Sequence, residues 1–141
     1  MGQRIDQFYE TLHLKLTNVD SNISALKAKI DGKVRTAERD VQDHLDAVKR
    51  RLDLEQAKVR AAQADMKNWA EEQQAITGDK IAEWRARREI AKLQNRADRA
   101  ERYAAAAAEV AVAAVDEAER ASLEAWLARA DADYAGQKAA S

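Results

Sequence analysis

The sequence predicts an all-α fold: a long antiparallel helical hairpin of coiled-coil type, with an N-terminal third helix as a variant, completed as a bundle by self-association. Three observations carry this. The 141 residues contain no proline, the residue that removes an intrahelical donor and clashes with the preceding turn. Alanines recur at alternating three- and four-residue steps through Ala97, Ala100, Ala104, Ala107, Ala111, Ala114, Ala118 and Ala121 to Ala135, a heptad seam filled with methyl groups. Larger apolar residues repeat with the same period through the first half, and one glycine-bearing turn separates the two series. About half the chain is Ala, Glu, Lys, Leu and Arg, a composition typical of long helices. A single elongated helical domain over 1–141 is the natural organisation.

The first seam reads Ile5, Phe8 or Tyr9, Leu12, Leu16, Val19, Ile23, Leu26 and Ile30. It continues through Val34, Ala37, Val41, Leu45, Val48 and Leu52 to Val59, Ala62, Met66, Trp69 and Ile76. Because the period holds, one helix is expected over 3–76. Two places invite a break. Thr17 to Ser24 is rich in residues that prefer caps and turns. At Asp31-Gly32 a glycine coincides with a change from a seven- to an eleven-residue repeat.

The turn is expected at 77–79, with Gly78 as the left-handed residue closing one helix and Asp79 capping the next. A second helix then follows over 80–135, and the tail 136–141 frays. Folding at Gly78 leaves residues 3–20 overhanging, among them Ile5, Phe8, Tyr9, Leu12 and Leu16. These are too apolar for water, so they fold back as a third helix or form oligomer contacts. The alanine seam from Ala97 to Ala121 is expected to be the helix–helix interface, small side chains letting a facing helix approach closely.

Chemistry is poorly provided for. With no cysteine, two histidines and no glycine-rich loop, the sequence offers neither a nucleophile–base pair nor a phosphate cradle, so no catalytic residues, cofactor or metal are expected. Glu10 and His13 have the spacing used in di-iron four-helix proteins, but His44 lacks a glutamate three residues before it, and no second motif exists. His44 is expected on a solvated flank. Arg4, Asp6 and Glu10 interrupt any leader-like apolar run, and Asp6 stands where a myristoylation signal carries Ser or Thr. The segment 103–115 is apolar on nearly every side except at Glu109, yet too short for the ~20 residues of a membrane span. Burial in a bundle is expected there instead.

The net charge of −1 hides unevenness. Arg85, Arg88, Lys92, Arg96 and Arg99 follow helical spacing, while Glu83, Glu89, Asp98 and Glu101 stand among them and dilute the field. The function expected is that of a non-enzymatic, cytoplasmic scaffold or adaptor acting through helix–helix association. It would be a homo-oligomer, a dimer in the simplest case, with a protein partner the sequence does not identify. The first alternative is an amphipathic peripheral coat protein of a membrane or storage granule. The second is polyanion binding through the five basic residues, with nucleic acid disfavoured as a partner.

Overall fold

The computed structural model describes residues 3–140, with side chains over 5–137. Among the described residues four helices make the structure 92% helical, and no strand occurs. They are α1 (Gln3–Asp31), α2 (Ala37–Ala75), α3 (Gly78–Ala86) and α4 (Ile90–Ala140). They pack into two units: residues up to Leu12 with Gln56–Ala111, and His13–Glu55 with the residues from Val112 onward.

The second of these units holds the larger core. There α1 turns back on α2 through residues 32–36, resolving the choice between a continuous first helix and a break. The break lies at Gly32, and α1 runs unbroken through Thr17 to Ser24. The Thr17 hydroxyl donates to the His13 carbonyl at 2.9 Å, as Thr11 does to Gln7, so both side chains are satisfied inside the helix. The turn is a Schellman motif. The Val34 N–H donates to the Lys29 carbonyl at 3.0 Å and the Lys33 N–H to the Ile30 carbonyl at 3.1 Å. The left-handed residue is Lys33, φ 53°, and not the glycine before it. Lys29 and the Thr36 hydroxyl, each 3.0 Å from Asp40, tie the end of α1 to the start of α2. Leu26, Val41, Leu45, Val48 and Leu123 form the core, with Ile23, Ile30, Leu52, Trp126 and Leu127 packed around it. Burying each such aliphatic side chain contributes about 1.5–3 kcal/mol.

In the other unit only Ala62 and Ala106 are buried among the described residues. Trp69 of α2 stacks on Tyr103 of α4 with centroids 4.3 Å apart, and Glu72 pairs with Arg99 at 3.1 Å. These partners run antiparallel, and their midpoint falls beside Arg85 and Ala86, not at Gly78.

The expected turn at 77–79 is therefore corrected. Gly78 has no positive φ and begins α3; Thr77, in extended conformation, is the N-cap and accepts from the Lys80 N–H at 3.2 Å, the role expected of Asp79. The reversal lies at Arg87–Glu89, a second Schellman turn that splits the expected helix over 80–135. Glu89 N–H donates to the Trp84 carbonyl at 2.9 Å, Arg88 N–H to the Arg85 carbonyl at 3.2 Å, and Arg88 is the left-handed residue at φ 54°. At the other end α4 stays helical to Ala140, past the fraying expected from Gly136.

Candidate association surfaces and a buried ionic cluster

An alanine ladder selects its face by shape, and α4 does not use it as its main buried seam. The stripe of α4 that is covered runs through Tyr103, Ala106, Val110, Ala113, Asp116, Glu119, Leu123, Trp126 and Ala130. Of the eight alanines expected at the helix–helix interface, Ala104, Ala107 and Ala111 are partly buried, while Ala97, Ala100, Ala114, Ala118 and Ala121 are exposed. The physical reason is area. Turning Leu123, Trp126 and the aromatic Tyr103 inward removes more apolar surface from water than turning methyls inward.

Where the ladder is covered, it forms one wall of an open-sided apolar groove of about 340 Å³ in the unit that contains the start of α1. Ala104, Ala107, Ala108 and Ala111 face Ile5, Phe8, Tyr9 and Leu12 across it. The N-terminal segment thus folds back on α4 as a third helix, yet its cover is incomplete. Tyr9 stays 69% exposed. Leu16, the fifth expected oligomer contact, is exposed too. Short methyls opposite long side chains leave the gap, so small residues here make a groove and not a close approach.

The unit containing the larger core also carries a charged cluster that reading the alanines alone passes over. Asp116 is fully buried and Glu119 nearly so. Oδ1 of Asp116 accepts from Arg51 of α2 at 2.8 Å and pairs with Lys15 of α1. Glu119 Oε2 meets His44 Nε2 at 3.0 Å. His44 is thus a partly buried partner of α4 and not the solvated flank expected. Burial, a hydrogen bond to Asp116 and repulsion from its charge push the Glu55 carboxyl up from its ordinary value. The signal was available: a three- and four-residue series through the bulkier residues of α4 runs directly through Asp116 and Glu119.

The five basic residues do not share one continuous helical face. Arg85 lies on α3 and Arg88 in the turn, while Lys92 pairs with Glu89 at 3.2 Å and sits 5.8 Å from the Trp84 ring centroid. Arg99 pairs with Glu72, and Arg96 is exposed. Glu10 and His13 are exposed as well, and among the described residues no group of three or more His, Asp or Glu side chains could hold a metal ion. No described helix is long and apolar enough to cross a membrane. No family model matches the chain, and no curated protein or solved structure shows significant similarity to it.

Proposed function

We propose that the protein is a non-enzymatic, cytoplasmic scaffold or adaptor that works by helix–helix association, first of all with a second copy of itself. The observation that carries this is the imbalance of burial. In the unit with the apolar groove, the only buried residues among those described are two alanines, while Ile5, Phe8, Leu12, Val59, Met66, Trp69 and Leu93 are half-covered. A helical unit with so little buried area is marginal alone, and association supplies the missing cover.

Light scattering after size exclusion tests the proposal. Phe8→Ala with Tyr9→Ala should shift a dimer towards monomer while leaving the helical signal in place. A wild-type monomer at ~100 μM, well above a typical micromolar dissociation constant, would contradict the reading.

The coat-protein alternative draws on the exposed alanines of α4, Ala114, Ala118 and Ala121, together with Leu14 and Leu16 of α1. Methyl-dominated faces adsorb weakly to lipid, so association remains first. Flotation with liposomes at ~0.15 M salt, near physiological ionic strength, separates the two.

A further inference from the structure

The cluster around Asp116 is out of balance. Its carboxylates are Glu55 on α2 and Asp116 and Glu119 on α4; its permanent cations are Lys15 on α1 and Arg51 on α2. Oδ2 of Asp116, Oε1 of Glu119 and Oε2 of Glu55 are all buried without a hydrogen-bond donor. A buried acceptor left unmet carries the full cost of its desolvation. With His44 neutral, negative charge exceeds positive by one, and a single proton removes the excess.

We propose that this cluster is a binding site for one proton, taken from solvent and held between the Glu55 and Asp116 carboxylates, and that its occupancy sets how firmly residues 44–55 of α2 are held against residues 112–123 of α4. With the proton in place, Glu55 donates to Asp116, and Asp116 keeps its charge for Lys15 and Arg51. Without it, two buried anions face one another and compete for the same two cations. Lys15 of α1 is drawn to both carboxylates, so the contact that loosens is the one between Glu55 of α2 and Asp116 of α4.

The sign follows from Glu55. Its carboxyl titrates higher in the folded chain than the ordinary 4.5. The bound proton therefore contributes fully below that ordinary value, and the contribution is lost as pH rises through the raised one. Inside that window each pH unit changes the folded-to-unfolded ratio by up to about tenfold. The other charged groups facing the site are Lys15 from α1, His44 and Arg51 from α2, and Glu119 from α4. Beyond them Arg120 binds Glu117 and Glu124, and Lys49 binds Glu124. His44 meets Glu119 within the same cluster, so it needs its own control.

The test is urea unfolding of the full chain between pH 5 and 9 with a chelator present, for the wild type, Glu55→Gln and His44→Gln. Hydrogen-exchange protection factors over 13–31, 44–55 and 112–123 are measured alongside. The wild type should lose stability as pH rises, and Glu55→Gln should lose that part of the slope. At the alkaline end, Glu55→Gln should show a several-fold larger folded-to-unfolded ratio than the wild type, since its amide can donate to Asp116. Protection over 44–55 and 112–123 should fall before that over 13–31 in the wild type alone. Parallel profiles for the wild type and Glu55→Gln, or a slope lost only in His44→Gln, would overturn the proton site. Uniform loss of protection, or loss over 13–31 first, would overturn control of the α2–α4 contact. Stabilisation of the wild type, but not of Glu55→Gln, by millimolar Ca²⁺, Mg²⁺ or Zn²⁺ without chelator would reassign the site to a metal cation.

Discussion

Lys33 and Arg88 occupy left-handed backbone that glycine adopts freely, at φ 53° and 54°. Holding an L-residue there costs roughly 1–2 kcal/mol, whereas glycine gives back roughly 0.5–1 kcal/mol through the extra freedom of the unfolded chain. Both side chains are exposed, so truncating them removes no buried contact. Lys33→Gly and Arg88→Gly should therefore each stabilise the protein by about 0.5–1 kcal/mol. Gly78→Ala is the complementary change. Gly78 sits at the first residue of α3 without a positive φ, and a methyl group built there meets nothing within 4 Å. Alanine gains helix propensity at that site, worth up to about 1 kcal/mol. Gly32→Ala is less free, because the new methyl would lie 3.1 Å from the Ala28 carbonyl oxygen. Thermal melts followed by far-UV circular dichroism should rise by about 3 °C for each of the three favourable changes. Their effects should add, since the three residues share no partner. A fall in melting temperature for both Arg88→Gly and Gly78→Ala would refute the reasoning and return the reversal to residues 77–79.

Replacing Asp116 by alanine removes the carboxylate that Lys15 and Arg51 share and leaves them only Glu55 and Glu119, and should cost about 1.5–3 kcal/mol by urea unfolding; a loss below about 1 kcal/mol would mean the cluster is hydrated. Ala106→Leu should destabilise by about 1–3 kcal/mol through overpacking, because Ala106 is only 5% exposed. Ala114→Leu, on the exposed ladder, should change monomer stability by less than about 0.5 kcal/mol, and a clear loss would place that ladder in an interface. Lys29 and the Thr36 hydroxyl hold the Asp40 carboxyl below its usual 3.8. Its hold on the α1–α2 turn is therefore present above that value and lost as pH falls through the lowered one. Amide protection over 29–40 should fall across that acid range in the wild type and be insensitive to it in Asp40→Asn.

Helical class was legible because period and proline content act locally, whereas the return of the N-terminal segment was one of two outcomes its apolar overhang left open. The exact turns were not. Glycine at 32 and 78 pointed to left-handed residues, yet a Schellman turn asks for one residue of positive φ wherever the carbonyls need closing. Lys33 and Arg88 meet that need at a cost which packing offsets. The face of α4 was misread for a related reason: repetition of alanine is conspicuous in a sequence, whereas burial is decided by area. Asp116 and Glu119 read as surface charges until Lys15 and Arg51, distant in sequence, are brought beside them. The groove depends on the third helix meeting alanines, a pairing no local pattern encodes.

A ladder of identical methyls carries no information about position. Sliding α4 by one heptad would replace alanine by alanine at nearly every rung of that ladder, so the ladder leaves register to the covered stripe. The layer at Asp116 removes that degeneracy. A seven-residue slip would present Lys15 and Arg51 with Leu123 in one direction, and in the other with Glu109 beside Val112 in place of Glu119. The first leaves both cations only Glu55 of α2, and the second keeps a single α4 carboxylate of the two. The ionic layer thus acts as an index mark, in the way a lone polar residue fixes alignment in a coiled coil. A chain so repetitive spends its most expensive buried groups on saying where along the helix each partner belongs.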